Sequence, residues 1–202
     1  MTSNARIQSI AWHALKANGL VTFALVVLHG VLSAILGNLG FGLGSLLLSG
    51  ALSYGFSRTM VQVYRGQTPA INTYFDGFQR FVDTLICTLL VGAIVVVGMV
   101  FLFIPGIIAA LGLSQVFFVL QDRDDLDAIG AVKESWRLVW TNGNMLKVLG
   151  MAFRTLFVLL LGALAFGVGL FVAIPLISVM GAGLYEEIKR ADRLGGGDVH
   201  FT

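Results

Sequence analysis

The sequence predicts an all-α integral membrane protein: six transmembrane helices as three hairpins, each preceded by a cytoplasmic interfacial amphipathic helix. Three observations predict it. Residues 17–57, 84–121 and 155–185 contain no Asp, Glu, Lys or Arg. A span takes about 20 apolar residues, so each of the first two stretches has the length of a two-helix hairpin. The third reaches that length if it begins at Asn144, with Lys147 and Arg154 inside its first helix. All 13 Lys and Arg then fall on one side of the membrane. Such an excess marks the cytoplasmic side, and both chain ends lie there.

Composition agrees. Hydrophobic residues make up 57% and charged residues 12% of the chain, where a soluble domain carries about 25% charged residues. Mean hydropathy is +0.88. Beside six spans, 202 residues leave no room for a sizeable soluble domain. The net charge of +2 comes with no dense basic run, which argues against nucleic acid and points to anionic headgroups. The single cysteine, Cys87, excludes an internal disulfide and reads as a buried inert thiol. The first apolar stretch is too long for a signal-peptide core and reads as a retained span.

Residues 4–17 place Ile7, Ile10, Ala11, Ala14 and Leu15 on one helical face, opposite Arg6, Ser9, His13 and Lys16. That is the pattern of a helix lying among headgroups. Span 1 follows from Gly19 to Leu36, Gly37–Gly40 form the outer turn, and span 2 runs from Leu43 to Tyr64. In 69–82, Ile71, Tyr74, Phe75, Phe78 and Val82 oppose Asn72, Asp76, Gln79 and Arg80, and Pro69 suits a helix start. Span 3 covers Asp83 to Phe103, Ile104-Pro105-Gly106 is its turn, and span 4 ends near Gln121. Asp122, Asp124, Asp125 and Asp127 precede the third amphipathic helix, 127–141, where acids satisfy orphan amides. Ile129, Val132, Trp136 and Val139 form its apolar face. Span 5 runs from Asn144 to Phe166, the turn begins at Gly167, and span 6 runs from Ile174-Pro175 to Ile188.

The chain thus reads as one membrane domain, 1–190, of three repeats at 4–66, 69–122 and 124–190, followed by a flexible cytoplasmic tail, 191–202. Ala17-Asn18-Gly19 and Thr141-Asn142-Gly143 sit at matching joints.

The stretch from Leu52 to Tyr185 resembles a family of small bacterial membrane proteins. The match rests on Gly50 to Gly55, Arg65-Gly66, Phe75-Asp76-Gly77-Phe78, Ile104-Pro105-Gly106-Ile107-Ile108 and Ala131 to Leu138. The family is the superfamily of domain of unknown function 975, with its relatives named as membrane domains of glycerophosphodiester phosphodiesterases. The resemblance implies a multi-pass protein of the bacterial inner (plasma) membrane and carries no activity with it. The phosphodiesterase name belongs to a separate soluble domain of fused relatives, which this chain lacks.

Arg154 is the sharpest candidate residue, about 15 Å into span 5 at 1.5 Å per residue, with Lys147 on the same face. An intramembrane charge is costly and takes a partner. Two readings stand: Arg154 is paired, with Glu134, Glu186, Glu187 or Asp83 as candidates, or it snorkels to the headgroups. Together Arg154 and Lys147 could hold an anionic headgroup. Trp12, Trp136 and Trp140, with Arg65, Arg80 and Arg137, read as interfacial anchors. His29 reads as a hydrogen-bonded packing residue, and the dispersed histidines and lone cysteine make no metal set. Small residues spaced by four, Ser49, Ser53 and Ser57 or Ala51 and Gly55, suit close helix packing within the chain, or a homo-oligomer seam. No nucleophile stands with a base, so no enzyme, cofactor or metal is expected. The reading is a non-catalytic inner-membrane protein that engages lipid and organises the membrane or a partner complex. The alternative is a transporter or channel component for a small apolar or lipid-like cargo.

The topology has a direct test. With Cys87 replaced, a cysteine at position 38 is expected to react with an impermeant thiol reagent in intact cells, and one at position 125 is not; the reverse pattern would overturn the orientation.

Overall fold

The computed structural model describes residues 4–38, 43–101, 103–164 and 169–195. Their regular structure is entirely helical: α1 (Asn4–Asn38), α2 (Leu43–Tyr64), α3 (Ile71–Tyr74), a 3-10 turn (Asp76–Arg80), α4 (Phe81–Phe101), α5 (Phe103–Gly112), α6 (Val116–Asp122), α7 (Ala128–Trp140), α8 (Asn144–Leu164) and α9 (Leu170–Gly195). Five stretches are long and apolar enough to cross a membrane: Asn4–Asn38, Ile71–Val100, Ile104–Asp122, Asn144–Leu164 and Leu170–Arg193. They carry many outward-facing large apolar side chains, among them Val100, Leu146, Phe153, Phe157 and Leu164. An apolar surface this extensive suits a multi-pass membrane protein.

α2 has the bounds expected of span 2 but is not among those five. It is the core of the bundle, packed on α1, α4, α6 and α9. Ala51, Leu52, Tyr54, Met60, Val61 and Val63 are all buried. The small residues that lower its apolarity are its points of closest approach. A Cβ on Gly55 would collide with the Tyr74 carbonyl, and one on Gly50 with the Thr84 carbonyl. From the other side, a Cβ on Gly77 would strike the Ala51 carbonyl. The stripe that could have served an oligomer seam is thus used within the chain at Gly50, Ala51 and Gly55.

The three leading segments meet the expectation of amphipathic helices unevenly. Residues 4–17 are helical as expected, and a kink at Asn18 (φ −121°, ψ 26°) separates them from the first span at the expected joint. Ile7, Ala11, Ala14 and Leu15 are buried against the protein itself, so this apolar face is not free for headgroups. Residues 69–82 form no continuous helix: α3 ends after one turn and the 3-10 turn follows. Tyr74 is wholly buried there, while Ile71 and Val82, placed with it on one apolar face, are about two-thirds exposed (62% and 66%). In α7, Val139 of the expected apolar face is buried with Ala131, Ser135 and Leu138, whereas Ile129 and Trp136 face outward. Residues 69–82 and α7 share a physical reason. A helix that packs beside lipid turns small residues to its neighbours and large apolar ones outward, whereas the apolar face of 4–17 is the buried one.

Other boundaries also move. Ile104-Pro105-Gly106 is not the turn but the opening of α5, where a missing N–H costs nothing. Gly98 of α4 packs directly on Gly106. The helical stretch to Asp122 is interrupted at 113–115. Pro175 lies inside α9, which begins earlier, at Leu170, and continues through Gly195, so 191–195 of the expected tail are helical. The rest of that tail, residue 102, and parts of the outer turns expected at 37–40 and from Gly167 lie outside the described residues. The two Asn-Gly joints differ: Asn142 and Gly143 take positive φ (54° and 69°), and Asn18 does not.

Gly55→Ala is expected to cost at least about 1–3 kcal/mol through overpacking. Gly30→Ala, whose added Cβ meets nothing within 4 Å, should not lower the unfolding midpoint. Thermal unfolding in detergent compares them, and equal midpoints would contradict the central placement of α2.

Candidate functional site

At one end of the bundle the ends of α2, α6 and α9 bring charge together. Asp122, closing α6, accepts from the Tyr185 hydroxyl at 2.9 Å and pairs with Lys189. Arg65, just after α2, reaches the other Asp122 oxygen at 3.7 Å and also binds Glu186. A second network ties α7 to α9. Arg137 donates twice to Glu134 (2.8 Å each) and twice to Asp192 (2.9 and 2.8 Å). A third centres on Arg80, which pairs with Asp83 at 3.0 Å and donates to the carbonyls of Leu120 and Leu126. It fastens the 123–127 loop to the start of α4. Asp127 caps α7, accepting from the Gly130 amide at 2.8 Å, as the acidic run predicted for a helix start; Asp125 pairs instead with Arg123 at 2.9 Å.

The expected anchors therefore divide. Trp12, Trp136 and Trp140 are exposed, and Lys16 lies over the Trp12 ring. Arg65, Arg80 and Arg137 are held in ion pairs within the chain.

The two cations of α8 meet the N-terminal stretch of α1. Arg154 Nη1 donates to Gln8 Oε1 at 2.8 Å. Asn4 Nδ2 donates to the Lys147 carbonyl at 3.1 Å. Lys147 Nζ is out of solvent and has no hydrogen-bond partner. Among the described residues no carboxylate pairs with either cation. Arg154 is thus hydrogen-bonded inside the protein, but to a neutral amide, so its charge is not balanced there.

The residues also frame a cleft of about 560 Å³ between α1, α2 and α9. Arg6, Arg65, Lys189, Arg190 and Arg193 line it with Glu186 and Glu187, and Ile10 and Tyr64 give it an apolar wall. The Tyr64 ring is seated against Gly183, where a side chain would displace it. Sequence reasoning missed this cleft. The available signal was that α2 and α9 end in cations, and that Arg6 starts the polar face of α1.

His29 lies elsewhere, its Nδ1 hydrogen-bonded to the Tyr74 hydroxyl at 2.7 Å and its ring stacked on Phe56. No group of three or more His, Cys, Asp or Glu close enough to hold a metal occurs among the described residues.

No family model, curated protein or solved structure matches the chain significantly.

Arg137 hydrogen bonds hold Glu134 below the usual carboxylate range, and Glu134 and Asp192 raise Arg137 in turn. A carboxylate lowered in this way adds stability above its unfolded pKa of about 4.3 and loses it as pH falls through the folded value. Stability in detergent is expected to fall between about pH 5 and pH 3, and E134Q to remove part of that loss. An unchanged acid profile in E134Q would show that the Glu134–Arg137 pair contributes nothing.

Proposed function

We propose that the chain is a non-catalytic, six-span protein of a bacterial inner membrane, with both termini cytoplasmic, that engages lipid and organises the membrane or a partner complex. The resemblance of Leu52–Tyr185 to the superfamily of domain of unknown function 975 points the same way. One observation carries the lipid reading. Lys147 and Arg154 share a face of α8, and among the described residues no carboxylate pairs with either, while Leu146 and Phe153 beside them are mostly exposed (75% and 65%). An unbalanced cation pair beside an apolar surface is matched by the phosphate of an anionic headgroup. Arg supplies a planar fork for it, and Lys a point charge.

A second reading, a transport component for a small apolar or lipid-like cargo, has its own support in the interruption at 113–115. There the Gly112 carbonyl, freed by the break, accepts from Ser135 Oγ at 2.9 Å. Gln115 is buried, and its Oε1 has no partner. Broken helices with unspent polar groups are where transporters place their cargo.

Protein purified from mixed phosphatidylglycerol and phosphatidylcholine nanodiscs is expected to retain phosphatidylglycerol in native mass spectrometry. K147Q/R154Q is expected to lose that preference. Unchanged retention together with unchanged stability would reduce Arg154 to a packing residue and remove the basis of the lipid reading.

A further inference from the structure

We infer that the cleft between α1, α2 and α9 is a second anion site, distinct from the α8 cations, which takes a phosphate group from a lipid headgroup or a free phosphate compound. The inference rests on the membrane reading above.

Charge is the first argument. The lining carries five cations against two carboxylates, a surplus of three in a chain whose whole net charge is +2. The remainder of the protein is therefore close to neutral, and the excess is concentrated in one concavity.

Commitment of the cations is the second. Arg65 and Lys189 are spent on Glu186 and Asp122. Arg190 and Arg193 are exposed and, among the described residues, have no ion pair or hydrogen bond. They stand three residues apart in the last turns of α9, so both project from one side of the helix. The dipole at a helix C-terminus favours cations there, but it binds neither guanidinium fork. Two free forks facing a cleft are suited to bidentate contact with phosphate oxygens.

Shape is the third. The volume of about 560 Å³ falls within the roughly 300–1,000 Å³ range of small-molecule sites and exceeds what a bare phosphate fills. Ile10 and Tyr64 supply an apolar wall beside the cations. The Tyr64 ring is seated against Gly183. A phosphate attached to a glycerol or acyl portion would use both surfaces, and a free phosphate compound only the charged one.

The test uses the full chain in nanodiscs and compares wild type, R190Q/R193Q and K147Q/R154Q. One arm counts phosphatidylglycerol retained in native mass spectrometry. The other measures binding of pyrophosphate to protein held in phosphatidylcholine alone. R190Q/R193Q is expected to weaken binding at least tenfold, the loss of one charge-assisted contact of about 1.5 kcal/mol. Loss confined to phosphatidylglycerol identifies a headgroup, and loss of pyrophosphate binding identifies a free phosphate compound; either supports the site. Since neither arginine is ion-paired, the variant should keep its unfolding midpoint. If wild type binds neither probe, or R190Q/R193Q binds both as wild type does, the cleft is not an anion site. A response of K147Q/R154Q alone would leave the lipid reading standing and remove only this inference.

Discussion

The structure depends on the backbone contact between the middle of α2 and the segment 74–84. Three carbonyls, those of Ala51, Tyr74 and Thr84, touch positions where only glycine leaves room. Without the hydrophobic effect to press apolar surfaces together in lipid, helices associate through close van der Waals packing. These contacts explain why α2 can be less apolar than its neighbours: its sides meet protein. They also set the direction of the chain after α2. The segment from Tyr74 to Gly77 must lie flat on α2, so it cannot continue as the regular helix that 69–82 was expected to form.

With α2 fixed at the centre, the charged groups follow. Arg65, at the end of α2, stands beside the ends of α6 and α9 and meets Asp122 and Glu186. Arg137 and Arg80 perform the same service for α7 and for the 123–127 loop. Ion pairs at an exposed surface add little each, but these are bidentate or shared among three elements, which makes them registers between helices. The pairing is also selective. Among the described residues it leaves Arg190, Arg193, Lys147 and Arg154, along with Lys16 and Lys133, without a paired carboxylate.

Much of the architecture was legible in the sequence because lipid-crossing length and charge segregation are one-dimensional properties. The bounds of α2, the start of α8 at Asn144 and the cap at Asp127 followed from apolar length and helix-start chemistry. What was not legible is which side of each helix faces protein. Ile71, Ile129 and Trp136 were placed on apolar faces among the headgroups and do face outward, but Tyr74 and Val139, placed on those same faces, are buried in the protein. The position of the α4–α5 turn failed for a local reason, since Pro105 can open a helix as well as precede one. The partner of Arg154 was sought among acids, and Gln8 lies 146 residues away with no charge to announce it.

The distribution of unpaired cations bears on function more than their number does. A single unbalanced arginine can be a packing residue whose hydrogen bonds are satisfied by amides, as Gln8 satisfies Arg154. Two separate places, each with two cations that form no ion pair among the described residues, are harder to reconcile with packing alone, because eight acids (Asp76, Asp83, Asp122, Asp124, Asp125, Glu134, Glu186 and Asp192) are already drawn into pairs with other cations. The uncompensated charge is left on α8 beside an apolar surface and on α9 beside a cleft. Both settings suit a charge supplied from outside the chain, and a phosphate in or near the headgroup layer is the anion that a protein with long apolar helices would meet there.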